Sequence, residues 1–321
     1  MLRIKIVIIM YIMKAFGVTI LAAEIAMVGV AIVHSLFNAI NTFLLIPFKK
    51  PLVKFCQIVV PDKGDATDEH TVFLDERLIA TPAIAVSECK RRVEEMAELT
   101  RASYRDALAL LNGFSQEKAM EIREAEGVID RYEDKLGTYL VRLSGCDLSD
   151  NDSHAVGRLL HSIGDFERIS DHAVNLVDAA EEIYNKKIEF SEKANAELAV
   201  IAAAVTEILD LTVDSFKSND VLLAAEVEPL EEVIDNLKST LRERHVSRLQ
   251  DGKCTIELGF VFSDLLTNYE RISDHCSNIA VSTIQLHSDK QDAHKYLRSI
   301  KSGENELYTG EFNNYSKKYT V

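Results

Sequence analysis

The chain has 321 residues, of which 47% are apolar, and its net charge is −15. This apolar content supports a folded core, so the composition excludes a chain that is disordered as a whole. After position 60 lie 30 of the 36 basic residues but 50 of the 51 acidic ones. Such an acidic body is a poor ligand for nucleic acid, whose affinity for proteins comes mainly from Lys and Arg, and cations are its expected ligands.

The N-terminal segment, residues 1–60, contains a stretch without Asp, Glu, Lys or Arg that runs from Ile25 to Phe48. At about 1.5 Å per residue this stretch can cross a hydrocarbon core about 30 Å thick, so we predict a transmembrane helix. Lys49, Lys50 and Lys54 follow it at once. By the positive-inside rule, we therefore expect the span to lie in the cytoplasmic (inner) membrane and the acidic body to face the cytoplasm.

The start of the chain leaves alternatives open. Residues 4–23 are also apolar, apart from Lys14, and are either a second, poorer span or a cleaved signal peptide. The signal peptide is the weaker alternative because another membrane-length stretch follows. In the main span His34, Asn38 and Asn41 share one helix face, which must meet protein or water rather than lipid. This face predicts partner helices, from a second chain or in a homo-oligomer.

The region after residue 82 is predicted to be helical, because it contains one proline, Pro229, in nearly 240 residues. Capping residues and glycine stops divide it into helices of approximate bounds 82–112, 115–145, 149–184, 191–217, 219–251 and 256–287. Pro229 marks a kink or the true start of the fifth helix. Long helices joined by short loops pack as antiparallel neighbours, so we predict an all-α fold of two tandem three-helix bundles.

The predicted domain organisation follows from these helices. A linker covers residues 61–82, and the helical domain covers residues 83–288. Its two repeats are expected at about 83–187 and 188–288. Residues 289–321 form a polar tail to which the sequence assigns no fold.

Two segments of the helical domain are near copies of each other. The segment FERISDHAVNL at 166–176 recurs as YERISDHCSNI at 269–279, with seven of eleven positions identical. A second pair, EGVID at 126–130 and EEVID at 231–235, lies in the same order at nearly the same separation. The chain therefore contains a tandem duplication of a unit of about 100 residues.

The duplication repeats a stripe of polar side chains on the outward face of one helix in each half. The stripes consist of Glu167, Asp171 and Asn175 in the first copy and of Glu270, Asp274 and Asn278 in the second. Like charges at i and i+4 repel, so we expect neutralisation by Arg168, Arg271, a neighbouring Lys or a metal ion with hard oxygen ligands. A solvated acidic face is the alternative, but recurrence in fixed register favours a site. His172 and His275 lie to one side and are expected to be structural.

The ERISDHxxN segments, each preceded by an ExxID segment, resemble the PhoU domain of bacterial phosphate regulators over roughly residues 83–288. The resemblance implies a six-helix fold of two three-helix bundles, with divalent or iron-type metal ions on the acidic motifs. Carried over by position, one site comprises Glu126, Asp130, Glu167 and Asp171, and the other Glu231, Asp235, Glu270 and Asp274. The supporting motif residues are Arg168, Asn175, Arg271 and Asn278.

The front of the chain resembles the end of a bacterial sodium/phosphate cotransporter, through AIVHSLFN at 31–38, PF at 47–48 and LDERLIATP at 74–82. Bacterial members of that family fuse a membrane domain to a PhoU-like domain. Their membrane domain has two inverted repeats, each with a Gln followed by serines, and this chain has neither motif. The chain therefore cannot transport alone, and sodium would bind only through the missing transporter core.

Two functions are carried forward as hypotheses. In the first, the chain is the C-terminal part of a sodium-dependent phosphate cotransporter, with a second chain supplying the other helices. In the second, it is a membrane-tethered regulator that acts on a separate phosphate transporter or kinase. A scaffold without bound ions is the structural alternative. No nucleophile elbow, Walker loop or dinucleotide fingerprint occurs in the sequence, so we predict that the chain is not an enzyme.

Overall fold

The structure is a computed structural model, and it describes residues 33–43, 74–285 and 306–321. The chain divides into two units, residues 1–69 and 70–321. In the first unit residues 33–43 are helical, and Asn38 Nδ2 lies 3.1 Å from His34 Nε2, so these two side chains share a face. Most of the predicted span at 25–48 and all of the stretch at 4–23 lie outside the described residues. Among the residues that are described, no helix is both long and apolar enough to cross a membrane.

The second unit is helical throughout its described part. A short 3-10 helix at Glu76–Ala80 precedes eight α-helices: α1 Pro82–Asn112, α2 Gln116–Ser144, α3 Asp150–Lys186, α4 Glu192–Ser218, α5 Val221–Ala225, α6 Val227–Gln250, α7 Ile256–Gln285 and α8 Glu306–Lys318. Side-chain oxygens of Ser115, Ser149 and Ser191 accept a backbone N–H in the first turns of α2, α3 and α4. These caps are the reason why serine marks the helix starts in the sequence.

The predicted fifth helix is two helices in the structure, α5 and α6, which meet at Glu226. Pro229 is the third residue of α6. The backbone N–H that proline lacks has no intrahelical partner in the first turn, so Pro229 is tolerated there. Of the two alternatives at this proline, the start of a helix is the correct one.

The helices form two three-helix bundles. Helices α1, α2 and α3 pack against one another, as do α4, α6 and α7. The bundles meet where α3 packs along α7 and α1 contacts α4. Phe166 of α3 and Phe216 of α4 are both fully buried and lie edge to face across this boundary, with ring centroids 5.3 Å apart. The all-α architecture predicted from the sequence is confirmed.

The C-terminal tail contains a helix that the sequence did not predict. Helix α8 packs on α6, where Tyr315 and Tyr319 are buried. The Tyr315 hydroxyl donates to Glu226 at 3.2 Å, and Lys318 Nζ donates to Glu207 at 2.7 Å. The tail is polar by composition, but a tyrosine can bury its ring while its hydroxyl bonds to a carboxylate. This helix therefore cannot be recognised from composition alone.

We expect Phe166→Ala to lower the free energy of unfolding by about 3–5 kcal/mol, because it leaves a cavity between the two repeats. Urea denaturation of the full chain measures this loss. Phe260→Ala is the control, since that side chain is 71% exposed, and it should change the value by less than about 0.5 kcal/mol. Equal losses in the two variants would contradict the packing described here.

Candidate metal sites

The second repeat brings three of its predicted carboxylates together. Glu231 and Asp235 on α6 and Asp274 on α7 each place a carboxylate oxygen within 4.8 Å of the other two. Oxygen atoms at this separation, all from carboxylates, suit a hard cation. The fourth predicted residue, Glu270, forms an ion pair with Lys238 instead. We call these three carboxylates, with Glu270 and Lys238, the second cluster.

The first cluster consists of Glu126 and Asp130 on α2 and of Glu167 and Asp171 on α3. Arg168 Nε lies 3.5 Å from Glu167, and the Arg168 guanidinium also lies 4.0 Å from Asp171. The negative charges of Asp130 and Asp171 repel those of both Glu126 and Glu167. Among the described residues, the compact grouping of three carboxylates is that of the second cluster, so the first is the looser of the two.

One pair of equivalent positions makes the two clusters chemically different. Lys238, which neutralises Glu270, corresponds in the first repeat to Glu133. The negative charge of Glu133 repels that of Glu167 and raises the pKa of Glu167. The first cluster therefore has an additional carboxylate where the second has an ammonium group. It carries more uncompensated negative charge and has the greater need for a cation.

Glu126, Glu167 and Asp274 hold their protons more tightly than isolated acids do, because the pKa of each is raised. Burial raises the pKa of Glu126 and of Glu167, and in both cases the charge of Asp171 raises it further. Burial also raises the pKa of Asp274, with Glu270 adding to the effect and Arg271, whose guanidinium lies 3.3 Å away, opposing it. A bound cation would reverse these shifts, since it favours the ionised form.

The histidine and asparagine of each motif serve the contact between the repeats. His172 Nδ1 donates to Asn268 Oδ1 at 2.9 Å, and Asn175 Nδ2 donates to the same oxygen at 3.1 Å. The expectation that His172 is structural agrees with this geometry. Asn175 is exposed and lies on the stripe, as predicted, but its amide reaches the other repeat.

The second motif makes the reciprocal contact. His275 Nδ1 and Asn278 Nδ2 lie 2.8 and 3.1 Å from Asp165 Oδ1, and Asp165 is the equivalent of Asn268. The rings of His172 and His275 stack with centroids 5.9 Å apart. Asp165 and Asn268 were missed in the sequence because neither belongs to the repeated motif and the two letters differ.

A cavity between the helices is separate from the carboxylate clusters. It has a volume of about 790 Å³ and is lined by residues of α1, α3, α4 and α7, among them Leu198, Leu265 and Tyr269. It has no cluster carboxylate in its lining. Most cluster carboxylates are half-buried on the helix surface and lie outside this cavity, a setting that suits ion binding better than catalysis in an enclosed site.

Comparison with known proteins places the two repeats in one family. Residues 93–180 and 198–283 match the family described as PhoU domain. The crystal structure of PhoU from Pseudomonas aeruginosa superposes with a TM-score of 0.59 and 23% sequence identity, covering 65% of this chain and 98% of that one. At this identity the likeness shows the fold, which confirms the PhoU-like architecture.

Two curated relatives differ in how much of their length is shared. The phosphate-specific transport system accessory protein PhoU homolog 1 of Thermotoga maritima is 24% identical over 67% of this chain and 91% of its own length. The putative inorganic phosphate export protein YjbB of Escherichia coli K12 is 20% identical over 82% of this chain. This chain spans about half of that protein, 49%. The kinship with accessory proteins confirms the prediction that the chain is not an enzyme.

We expect the His172 contact to make the fold sensitive to acid. Burial lowers the pKa of His172, and the charges of His275 and Arg271 lower it further against the opposing effects of Asn268 and Asp171. Because the unfolded chain takes up the proton first, this part of the stability is complete above the unfolded pKa, about 6.5, and is lost as the pH falls towards the folded pKa.

The variant His172→Gln, which keeps a donor for Asn268, measures this effect. The wild-type advantage in unfolding free energy should be largest near pH 7.5 and should shrink progressively towards pH 5 in urea titrations. Curves that stay parallel over this range would show that His172 does not titrate differently in the folded state.

Proposed function

The chain belongs to the PhoU domain family, and on this basis we propose that it regulates phosphate transport from the membrane surface. The observation that carries the proposal is the match of both repeats to that family. The names of relatives, which include a phosphate-specific transport system accessory protein, support a role beside a transporter. In this proposal the helical domain faces the cytoplasm and acts on a separate transporter or a signalling kinase.

Charge complementarity supports a membrane-protein partner. Cytoplasmic loops of membrane proteins carry an excess of Lys and Arg, whereas 50 of the 51 acidic residues of this chain follow position 60. Opposite potentials steer the encounter of two proteins within about 8–10 Å at physiological salt. An acidic helical body can therefore dock on such loops without any chemical step of its own.

The N-terminal segment supplies the proposed tether. Residues 25–48 have the length and composition of a transmembrane helix. Tethering a regulator to the membrane of its partner turns docking into a local event at high effective concentration. The polar face formed by His34, Asn38 and Asn41 would then contact helices of the partner or of a second copy of this chain.

A second candidate is a direct part in a phosphate carrier. It is supported by the match to the putative phosphate export protein, which covers 82% of this chain and 49% of the relative. Since one or two spans cannot enclose a transport site, the remaining helices would come from another chain. Sodium, and phosphate in transit, would bind to that other part.

We also propose that divalent or iron-type ions occupy the two clusters. Glu231, Asp235 and Asp274 would hold one ion in the second, and Glu126, Asp130, Glu167 and Asp171 would hold ions in the first. An ion in either place would neutralise like charges and link the two helices that present them, α2 with α3 or α6 with α7. Lys238 would compete with an ion for Glu270 in the second cluster.

Metal analysis of the purified full chain tests the ion sites. We expect Asp171→Asn and Asp274→Asn each to lose most of the metal of their own repeat, because each removes a charged oxygen ligand without changing shape. Lys238→Gln should raise the metal content of the second repeat by releasing Glu270. The matched control is Asp178→Asn, an exposed carboxylate on the same helix as Asp171 that pairs with Arg123; it should retain wild-type metal. Equal metal in all five proteins would remove this proposal.

Phosphate uptake in the native cells tests the regulatory function. Deleting the gene should abolish the adjustment of radioactive phosphate uptake to external phosphate while leaving uptake itself in place. The full chain should restore the adjustment, and a version without residues 1–60 should restore it several-fold less well because the tether is gone. Loss of uptake as such would instead support the carrier, and unchanged uptake and adjustment would contradict both functions.

A further inference from the structure

Arg158 on α3 is a buried cation. The residue is 5% exposed, and two of its three guanidinium nitrogens, Nε and Nη1, have no acceptor among the described residues. Its guanidinium carbon lies over the Phe216 ring, 4.8 Å from the ring centroid. The charge of Glu94 acts on it, but Glu94 pairs with Lys90 at 3.6 Å. Buried charges without partners are costly and usually serve a purpose.

Arg158 lines a small cavity at the contact between the bundles. The cavity has a volume of about 210 Å³. Its wall offers further hydrogen-bond donors from α3 and α7: Ser153, His154, His161 and Gln285. Ser282 also lines it, with its hydroxyl donating to the Ile279 carbonyl at 2.7 Å. None of the described residues that line it is acidic. We call this cavity the Arg158 pocket. Although the chain has a net charge of −15, a negatively charged ligand in this pocket would meet a cation.

Gly157 and Val261 bear on how special this pocket is. Gly157 belongs to the pocket wall, and a Cβ atom added there would meet no atom within 4 Å, so the space in front of it is open. A large side chain at this position would take up part of that space. The equivalent of Arg158 in the second repeat is Val261, which is buried. The duplicated fold therefore does not require an arginine at this position.

We propose that the Arg158 pocket binds a phosphate-class oxyanion and that its ligand is free inorganic phosphate. A guanidinium edge can give two parallel N–H bonds to such an anion, and the hydroxyl, imidazole and amide groups of the wall can donate to its other oxygens. The anion would supply the acceptors that Arg158 lacks. The choice of phosphate among oxyanions rests on the proposed function, and the inference deepens that function by giving the domain a site of its own for the ion whose transport it regulates.

The position of the pocket connects such a ligand to the acidic stripes. Helices α3 and α7 form the pocket and also carry Asp171 and Asp274. Ser162 and Ser282 approach to 3.5 Å beside it. A ligand held by both helices would bias how the two bundles pack, because packed helices shift between discrete arrangements rather than deform continuously.

Equilibrium dialysis of the full chain with radioactive orthophosphate tests the proposal. Chelator is included so that metal-held phosphate is not counted, which separates this test from the ion sites above. We expect saturable binding of one phosphate per chain in excess chloride. Arg158→Met should weaken binding at least tenfold.

Gly157→Leu provides a second variant that leaves every donor in place. It should abolish binding by filling the pocket, and the thermal melt should show that the helix is retained. Arg142→Met, which removes an exposed arginine paired with Glu76 at 2.7 Å, is the matched control and should bind like wild type. No saturable binding by wild type, or equal binding by wild type, R158M and G157L, would overturn the proposal. Arg158-dependent binding of phosphatidylglycerol vesicles without binding of orthophosphate would also overturn it, in favour of a lipid headgroup.

Discussion

The reciprocal contact between α3 and α7 is the interaction on which the arrangement of this protein depends. Each helix sends a histidine and an asparagine to one oxygen of the other, with Asn268 and Asp165 as the acceptors. Because both acceptors are served by two donors, the contact holds the repeats in one register. The same helices present acidic residues towards α2 and α6, so a single motif supplies both the joint and the charged surface.

The two repeats share a fold but have diverged in charge. Lys238 neutralises the second cluster at the position where Glu133 adds a carboxylate to the first. Arg158 has Val261 as its counterpart, so the buried cation of the pocket comes from the first repeat alone. Differences of this kind allow two similar halves to respond to different ions, a cation on the outer stripes and an anion at the contact. They alter charge without altering the helical packing, which depends on apolar residues that both halves keep.

Much of this structure could be predicted because the signals that start, continue and end a helix lie in neighbouring residues. Serine caps, scarce proline and apolar spacing are properties of neighbouring residues, and they located the six long helices. At Pro229 they left a kink and a helix start as alternatives, and the structure shows that α6 begins two residues earlier, at Val227. The acidic motif was visible because it occurs twice. Helix α8 was not predicted because its contacts are far away in the sequence: it packs on α6, and Tyr315 and Lys318 bond to Glu226 and Glu207.

By itself the sequence determined the helical class, the duplication and the residues with unusual charge, since each depends on composition or on spacing along one chain. Only the tertiary structure decided which charges meet. It paired Glu270 with Lys238, joined His172 to Asn268 across 96 positions, and buried Nε and Nη1 of Arg158 where no described residue accepts from them. The physical reason is that hydrogen bonds and ion pairs act over a few ångströms between side chains. Their partners are set by how helices pack, and repeat spacing does not encode that packing.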